Sequence, residues 1–368
     1  MTPQASRIAD VSGPAYAGRM PDALASRFRL ASLGPLRDLG RGFRRVGLRA
    51  VLADLNRTGR RVDVPGEAVA EGFTWNDRDV NTDRWWPQGI TTSADAYGHD
   101  PTAGTFDGRD VLLTSWYAHG RFRRLLGSRV TVVSDLDGPS PAYRHVLLVE
   151  PMRIGPVHLL RPVRVHAGGI VWYGDHLFVA GSGAGIRVFR LDDLTHVRNR
   201  VRSRGYRYVL PQASAYAAEQ DADHAPLTYS FLSLDRGAET DSLVAGEYGT
   251  KDSPTHRLVR YPLDRDTQLL SGDEHGRSTA VELHDGQPRM QGATLVGDTW
   301  VVTASAGEGR AGDLWVGRPG HLRRHRGVLP TGPEDVAHWP QRRQVWSLTE
   351  WPGRRWVFGV DVDPWVTG

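Results

Sequence analysis

A short turn-and-strand unit recurs along the sequence and limits what the chain can fold into. It reads WWPQGITTS at 85–93, VHAGGIVW at 165–172, LPQASAY at 210–216, RMQGATLV at 289–296 and GPEDVAHW at 332–339. Each copy bends through polar or small residues and continues into small or β-branched ones, which is typical of a turn that leads into a strand. Repetition at intervals of tens of residues indicates a repeat architecture.

Short β-rich runs follow every copy of the unit, and no long helical stretch interrupts them. Examples are VLLTSWYA at 111–118, HLFVAGS at 176–182, LTYSFLSL at 227–234, TWVVTAS at 299–305 and QVWSLTEW at 344–351. A turn, a strand of small residues and about three further strands are the pattern of a β-propeller blade. We therefore expect an all-β fold in which residues 61–368 form a single β-propeller.

The spacing of the unit bears on the number of blades. The equivalent residues are Gly89, Gly169, Ala213, Gly292 and Asp335, which are separated by 80, 44, 79 and 43 residues. The longer intervals hold only four or five strand-like runs, which favours one blade with insertions. We expect five blades, with six or seven as alternatives. We also expect an N-terminal strand, from 60–64 or from 68–75, to complete the last blade.

The N-terminal segment differs in charge from the rest of the chain. The first 70 residues hold 12 Arg against 6 Asp and Glu, although the whole chain has a formal net charge of only +4. Apolar residues recur at helix-like intervals over 22–56, with Gly34-Pro35 as a break, which predicts one or two short helices. We expect residues 1–60 to be a basic extension, partly helical or loose. A scaffold tethered by this segment is one functional hypothesis.

Composition excludes several classes of site and partner. The chain contains no cysteine, which excludes disulfides, thiolate metal sites and a cysteine nucleophile. No run approaches the roughly 18 apolar residues of a membrane span, so we expect none. The arginine-rich run at 318–327 lacks interleaved aromatic residues, and we expect no nucleic-acid partner. Without the apolar region of a signal peptide, the chain is expected to be cytoplasmic. The sequence does not indicate an oligomeric state.

The expected fold collects polar and aromatic residues on one face. In a propeller, the starts of the innermost strands and the loops between second and third strands open on the same face, at the axis. The expected substrate-binding residues are Trp85, Trp86, Gln88, Tyr117, Tyr208, Gln212, Gln291 and Trp351. The expected catalytic residues are His166, Glu334, Asp335, His119 and Glu350. Such a mixture suits an axial pocket for an organic molecule. Alternatively, these side chains bond to neighbouring blades or to water in the channel.

The titratable residues in this set favour acid–base chemistry. A histidine titrates near neutrality, and two carboxyl groups can also serve as the pair of a glycosidase-like site. No GxSxG motif occurs, which argues against an α/β-hydrolase. We expect an enzyme that acts on a small-molecule substrate, a specialised metabolite or a sugar derivative, by non-redox chemistry as an isomerase, cyclase, lyase or hydrolase. The alternative is a non-catalytic propeller that binds a glycan or a protein.

Three copies of the unit also carry a family resemblance. WPQGITTS, MQGATLVG and GPEDVAHW resemble the blade-start motifs of lactonase-like, strictosidine-synthase-like and NHL-type β-propellers, over roughly residues 65–365. The resemblance implies a central calcium held by a blade-start Glu with Asn or Asp residues of other blades. Only Glu334-Asp335 has this acidic form, whereas the other starts carry Gln88, His166, Gln212 and Gln291. We therefore expect no cofactor and no metal, with calcium as the alternative.

Overall fold

The described residues of the computed structural model are 21–36, 39, 43–96, 104–219, 225–237, 240–253 and 255–366. They fold almost entirely into β-strands, and the helices among them are short. The elements that precede the main sheets are α1 (Asp22–Ala25), β1 (Arg29–Ser32), β2 (Arg44–Arg45), α2 (Gly47–Leu52), β3 (Arg57–Thr58), β4 (Arg60–Arg61), β5 (Val69–Thr74) and α3 (Asp77–Asn81).

The remaining strands form five antiparallel sets in chain order, which we call units 1 to 5. Unit 1 consists of β6 (Trp85–Thr92), β7 (Leu112–Ala118), β8 (Ser128–Ser134), β9 (Ala142–Ile154) and β10 (Val157–Pro162), with α4 (Arg123–Leu126) between β7 and β8. Unit 2 consists of β11 (Ile170–Tyr173), β12 (His176–Ala180), β13 (Ile186–Arg190), the short β14 (Thr195–His196) and β15 (Tyr208–Ala218). A parallel pairing of β15 with β9 joins the outer edges of units 1 and 2.

The last three units follow the same plan. Unit 3 consists of β16 (Phe231–Asp235), β17 (Ser242–Gly246), β18 (Arg257–Pro262), the side strand β19 (Arg277–Thr279) and β20 (Glu282–Asp285). Unit 4 consists of β21 (Met290–Val296), β22 (Thr299–Ala304), β23 (Ala311–Arg318) and β24 (His321–Thr331). Unit 5 consists of β25 (Pro333–Trp339), β26 (Gln344–Thr349) and β27 (Trp356–Asp361), and α5 (Asp363–Val366) follows it.

The first strands of the units meet around one axis. Contacts run from β6 to β11, from β11 to β16, from β16 to β21, from β21 to β25 and from β25 back to β6. Each first strand is also the innermost member of its set, because the other strands of the set pair outward from it in sequence. A closed ring of radially arranged antiparallel sheets is a β-propeller.

A strand from the N-terminal part of the chain completes unit 5. β5 pairs antiparallel with β27, with Phe73 opposite Val357, and β4 pairs with the outer edge of β5. β5 lies within 68–75, one of the two segments expected to close the ring. The ring is therefore fastened by backbone hydrogen bonds between strands almost 300 residues apart in sequence, roughly the span from Phe73 to Val357.

A hydrophobic cluster fills each space between neighbouring units. Between units 5 and 1, for example, Trp75 contacts the edges or faces of Trp116 and Tyr143, with ring centroids 5.1 and 5.0 Å away. Between units 3 and 4, Phe231 and Met290 belong to one cluster with Trp300. Both faces of each sheet are thereby removed from water, which accounts for the apolar runs of the inner strands.

The inner strands approach one another too closely for larger side chains at several glycines, of which Gly169 and Gly292 are examples. A Cβ atom on Gly169 would lie 2.0 Å from the backbone nitrogen of Leu232, and one on Gly292 would lie 2.6 Å from that of Val336. Glycine allows this approach because it has no Cβ atom. The small residues of the recurring unit therefore serve the packing of neighbouring units at the axis.

Four of the five copies of the recurring unit coincide with β-bulges, and one of these bulges is not at the start of a unit. The pairing register shifts at Gln88–Gly89 in β6, at Gln291 in β21 and at Glu334–Asp335 in β25. It also shifts at Ala213, but that residue lies in β15, the outer strand of unit 2. The expectation that LPQASAY starts a blade is therefore wrong. Unit 3 begins instead at Phe231, where the sequence lacks the Gln-Gly pattern.

The N-terminal segment packs against the propeller. β1 pairs with β15 and β19, and Leu48, Val51 and Leu52 of α2 are buried in the cluster between units 1 and 2. Two short helices form over 22–56 as expected, and β1 and β2 lie between them. These two segments are strands because their backbones pair with edges left open by units 2 and 3. Residues 1–20 of the expected extension lie outside the described residues. No helix in the described part of the chain is long and apolar enough to cross a membrane.

Candidate functional site

A cavity of about 690 Å³ opens where the starts of the inner strands meet. All five units contribute to its wall. Units 1 and 5 supply Trp86, Gln88, Tyr117, Glu334, Glu350 and Trp351, and units 2, 3 and 4 and their connections supply His166, Ser182, Thr228, Ser230, Tyr248, Gln291 and Arg289. Its volume is in the range of pockets that hold small organic molecules. The structure thus brings together eight of the residues singled out in the sequence.

The bulges direct the polar side chains into this cavity. A bulge inserts an extra residue into a strand and turns the side chains around it. Gln88, Gln291 and Glu334 occupy equivalent bulged positions in β6, β21 and β25. The backbone groups left without a ladder partner are satisfied by hydroxyl groups. For example, the hydroxyl of Thr303 donates to the carbonyl of Glu334 at 2.6 Å.

Two carboxyl groups from unit 5 are hydrogen-bonded to each other in the cavity wall. Glu334 donates to Glu350, which follows β26 directly. The amide Nε2 of Gln88 donates to Oε2 of Glu350 at 2.9 Å, and Nε2 of Gln291 donates to Oε1 of Glu334 at 3.1 Å. Nε of Arg355 donates to the backbone carbonyl of Glu350 at 2.7 Å and so fixes its main chain. Side chains from three units therefore hold the carboxyl pair in place.

Both carboxyl groups of this pair bind protons more strongly than free glutamate. Burial raises the pKa of Glu334 well above its usual range, and the charge of Glu350 and the hydrogen bond to it raise the pKa further. Burial raises the pKa of Glu350 to about 7, although the hydrogen bonds from Gln88 and Glu334 oppose the shift. Two adjacent carboxyl groups in a poorly solvated site cannot both ionise easily. Glu334 therefore keeps its proton well above the usual pKa of a glutamate, and Glu350 titrates at about 7.

Aromatic rings form the side of the cavity next to the carboxyl pair. Trp86 meets Trp351 edge to face, with ring centroids 5.1 Å apart. His119 stacks on the indole of Trp86 at 4.2 Å, so this expected catalytic residue supports the wall rather than lining the cavity. Tyr117 and His166 lie 4.3 Å apart, with their rings tilted by 45°. The cavity therefore offers an apolar face beside acidic and amide groups.

Asp335 lies beside the carboxyl pair in sequence but does not line the cavity. Its side chain is fully buried, and Oδ2 accepts hydrogen bonds from the backbone N–H groups of Ile90 and Ile170 at 3.0 and 3.3 Å. Burial raises the pKa of Asp335 well above its usual range, although these hydrogen bonds oppose the shift. Asp335 thus joins the inner strands of units 1, 2 and 5, and the expectation that it acts on a substrate lacks support from its position.

Three of the expected substrate-binding residues lie away from this cavity. Trp85 points to the other side of β6 and lines a different cavity, because side chains alternate along a strand. Tyr208 and Gln212 lie on β15, the outer strand of unit 2. The Tyr208 hydroxyl donates to Asp54, and the Gln212 amide donates to the carbonyl of Ser214. These placements correct the expectation. For Tyr208 and Gln212 it depended on reading LPQASAY as the start of a blade, and for Trp85 it overlooked the alternation of side chains along β6.

Sequence reasoning missed the contribution of unit 3 and part of that of unit 4. Thr228, Ser230, Tyr248 and Thr250 line the cavity from unit 3 and its connections, and Arg289 and Arg310 line it from unit 4. The unit 3 residues went unnoticed because the start of that unit carries no bulge motif. Arg289 is the first residue of RMQGATLV, and its place in a recognised motif was the one available signal.

The acidic residues do not converge as a calcium site requires. Calcium prefers six to eight oxygen ligands, several of them carboxylates. Glu334 is engaged with Glu350 and Gln291, whereas Asp335 faces backbone N–H groups, whose dipoles repel a cation. Among the described residues, no group of three or more His, Asp or Glu side chains could hold a metal ion. The arrangement therefore fits the calcium implied by the family resemblance poorly.

Comparison with known proteins identifies no family for the chain. No family model and no curated protein matches the sequence. Among solved structures, the chain is similar to a GH43_1 enzyme from Xanthomonas citri complexed with xylotriose, at 11% identity and a TM-score of 0.36, over 76% of this chain and 88% of that one. It is also similar to a gluconolactonase from Xanthomonas campestris, at 14% identity and a TM-score of 0.31, over 82% of this chain and 89% of that one.

Proposed function

We propose that the protein is a five-bladed β-propeller enzyme that acts on a small organic substrate by non-redox acid–base chemistry in the axial cavity. The hydrogen-bonded carboxyl pair Glu334–Glu350 carries this proposal. Acid–base catalysis is most effective when the pKa of the catalytic group lies near the working pH. Enzymes raise the pKa of a catalytic glutamate to about 6–7 by burying it. A carboxyl pair that shares one proton supplies an acid and a base at the same place.

The roles of the two carboxyl groups follow from their surroundings. Glu334 is 2% exposed and keeps its proton, so it serves as the acid. Glu350 is more exposed to the cavity and has a pKa of about 7, so its ionised form serves as the base. Gln88 and Gln291 orient the two groups, and Trp86 and Trp351 offer an apolar surface to the substrate. Tyr117 and His166, which face each other at 4.3 Å, would contact the substrate from units 1 and 2.

The geometry disfavours one reaction that the sequence left open. In glycosidases with two catalytic carboxyl groups, these lie about 5–5.5 Å or roughly 6.5–9.5 Å apart, on either side of the scissile bond. Glu334 and Glu350 are in hydrogen-bond contact, which leaves no room for a glycosidic bond between them. Isomerisation, cyclisation, elimination, or hydrolysis by an activated water fits the pair better. An amphipathic substrate with hydroxyl or carbonyl groups, such as a sugar derivative, suits the polar and aromatic wall.

The experiment that tests this proposal compares the wild-type protein with a double variant. The protein is incubated in D₂O with libraries of lactones, sugar derivatives and other metabolites, and the products are followed by mass spectrometry. We expect the wild type to convert or deuterate at least one compound, and Glu334→Gln/Glu350→Gln to lose that activity. Equal conversion by both proteins would show that the carboxyl pair is not the catalytic centre.

A non-catalytic carbohydrate-binding propeller is the second candidate. The edge-to-face contact of Trp86 with Trp351 favours it, because aromatic side chains beside polar groups suit the mixed faces of sugars. A glycan array separates the candidates: a glycan that binds with equal affinity to wild type and Glu350→Gln, and that is recovered unchanged, supports binding without catalysis. A glycan consumed by the wild type alone supports the enzyme.

A further inference from the structure

A second cavity, of about 600 Å³, lies outside the axial site and is dominated by arginine. It is formed by the start of β6, by β8 and β9 of unit 1, by the residues around α3 and by the segment 200–207 that precedes β15. It shares no lining residue with the axial cavity. Eight of its lining residues are arginines. Such a concentration of guanidinium groups around a concave surface creates a strong positive potential.

Acidic residues only partly balance this charge. Asp79 is the one acidic side chain among the described residues that line the cavity. Its carboxylate is already engaged: it accepts hydrogen bonds from Arg57 at 2.9 Å and from the Tyr143 hydroxyl at 2.8 Å, and Oδ2 lies 3.1 Å from Nε2 of His145. Asp54, from outside the lining set, pairs with Arg144 and Arg207 at 3.1 and 3.2 Å.

Arg129 is the most informative of the arginines because it is buried without sufficient partners. It is 4% exposed, and its guanidinium lies over the rings of Trp85 and Trp116, at 4.4 and 4.7 Å from their centroids. Among the described residues, no acceptor forms a hydrogen bond with its Nε or Nη2. Asp79 Oδ1 lies 3.6 Å from Nη2, which is an ion pair but longer than a hydrogen bond. Buried donors without acceptors are costly, so they point to a bound acceptor.

The neighbouring His145 does not supply the acceptor that Arg129 lacks. Burial lowers the pKa of His145 to about 3, and the positive charge of Arg129 lowers it further, so the imidazole is neutral at physiological pH. His145 lies against Asp79 and the hydroxyl of Thr131 instead of Arg129. Arg129 thus lines the cavity while its Nε and Nη2 lack an acceptor among the described residues.

We propose that this cavity binds a small phosphorylated molecule, with Arg129 at its floor and Arg200 and Arg204 at its rim. The planar guanidinium group matches phosphate oxygens with two parallel hydrogen bonds, and such charge-assisted bonds are among the strongest available. Trp85 and Tyr206, whose rings meet edge to face at 6.5 Å, offer an apolar surface to the remainder of the ligand. A volume of about 600 Å³ suits a small molecule, whereas a nucleic-acid strand needs an extended groove.

The proposal is tested with inorganic pyrophosphate as the probe, by isothermal titration calorimetry on the full chain at about 50 and 200 mM NaCl. We expect saturable 1:1 binding that weakens at the higher salt concentration. Arg200→Gln/Arg204→Gln changes only exposed rim residues and is expected to weaken binding by about tenfold or more. The matched control is Arg323→Gln/Arg326→Gln, which removes two exposed arginines of β24. This control is expected to bind as the wild type does.

A floor variant and competing anions distinguish a phosphate site from a general anion site or a nucleic-acid surface. Arg129→Met is expected to abolish binding, and if that variant does not fold, the rim pair still decides the question. Absence of pyrophosphate binding at millimolar concentration would overturn the proposal, as would equal losses in the rim and control variants. Much tighter binding of a single-stranded oligonucleotide than of pyrophosphate would overturn it in favour of a nucleic-acid surface. Sulfate and citrate that match pyrophosphate in affinity would contradict a preference for phosphate.

Discussion

The carboxyl group of Glu334 donates a hydrogen bond to the carboxylate of Glu350 across the β25–β26 hairpin. Pro333 pairs with Thr349 in that antiparallel hairpin, the bulge at Glu334–Asp335 follows Pro333, and both glutamates line the cavity. The Gln88 amide donates to the same carboxylate and ties unit 1 to unit 5. The contact between Gln88 and Glu350 therefore links the first and last units at the carboxyl pair for which we propose acid–base chemistry.

The titration of Glu350 should make the free energy of unfolding depend on pH between 4.5 and 7. A carboxyl group whose pKa is raised by folding stabilises the protein fully below its unfolded pKa, and this contribution is lost as the pH rises through the folded pKa. For Glu350 the window runs from the ordinary value of 4.5 to about 7. The free energy of unfolding of wild type relative to Glu350→Gln should therefore fall by up to about 3 kcal/mol across it.

Denaturant unfolding of both proteins at several pH values measures this difference. Other groups also titrate in the window: burial lowers the pKa of His176 and His338 to about 4, which makes stability rise with pH. Because these groups are the same in both proteins, they cancel in the comparison. A constant difference between the proteins from pH 4.5 to 7 would show that the pKa of Glu350 is not raised.

Replacing Glu334 by glutamine should separate activity from stability. The residue is buried and its raised pKa favours the neutral acid, so a neutral amide of the same shape should change the free energy of unfolding by less than about 1 kcal/mol. Turnover should fall by about 100-fold or more, because the amide cannot release a proton. Steady-state kinetics on a substrate found by the D₂O screen provides the measurement. Glu308→Gln, at an exposed position after β22, is the control and should retain full activity.

Gln88 and Gln212 look equivalent in the sequence but should differ in function. Gln88 donates to Glu350 in the cavity, whereas Gln212 donates to a backbone carbonyl within β15. Methionine keeps the volume of glutamine and removes both polar groups. Gln88→Met should lower kcat/KM by about tenfold, in line with the loss of a hydrogen bond to a charged group, and Gln212→Met should leave it unchanged. Equal effects on kcat/KM would place the active centre elsewhere.

Alanine at Gly169 should force two inner strands apart. The new Cβ atom would lie 2.0 Å from the backbone nitrogen of Leu232, far inside van der Waals contact. We expect a loss of about 3 kcal/mol in the free energy of unfolding. Gly183→Ala is the matched control because no atom lies within 4 Å of its added Cβ, and its effect should stay within about 1 kcal/mol. Equal stability of the two variants would contradict the close packing at the axis.

Asp335 should prove a structural residue. Asparagine can keep one oxygen for the N–H groups of Ile90 and Ile170, whereas alanine leaves both donors without this acceptor. We expect Asp335→Ala to lose about 2–5 kcal/mol of unfolding free energy and Asp335→Asn about 1 kcal/mol. Kinetics of Asp335→Asn checks the assignment: if the variant is stable but inactive, Asp335 takes part in the reaction after all.

The sequence predicted the all-β propeller because bulges and small inner-strand residues leave local signals. PQG, MQG and PED each mark a bulge at the start of a unit, and Gly169 and Gly292 sit where neighbouring strands touch. The same local signal in β15 misled the interpretation, because a bulge reports backbone geometry and not the place of its strand in the sheet. Unit 3 starts without a bulge, so the sequence did not indicate which of its residues line the cavity.

Pairwise contacts in the two cavities could not be read from the sequence. Glu334 and Glu350 were both candidates, but their contact depends on the register of a hairpin that contains a bulge and a 3₁₀ turn at Pro340–Arg342. The arginine-rich cavity combines Arg57, Arg129, Arg144 and Arg200, which come from separate elements. In a chain with 45 arginines and one lysine, no single arginine stood out before the fold brought these together.

The most direct test of the proposed acid–base centre is a titration of the two side-chain carboxyl carbons by ¹³C NMR, with Glu334→Gln and Glu350→Gln used to assign the signals. We expect one signal to titrate near pH 7 and to disappear in Glu350→Gln, while the Glu334 signal keeps the shift of a protonated acid well above pH 4.5. If both signals titrate near pH 4.5, the pair holds no proton at neutral pH, and the proposed acid–base centre is wrong.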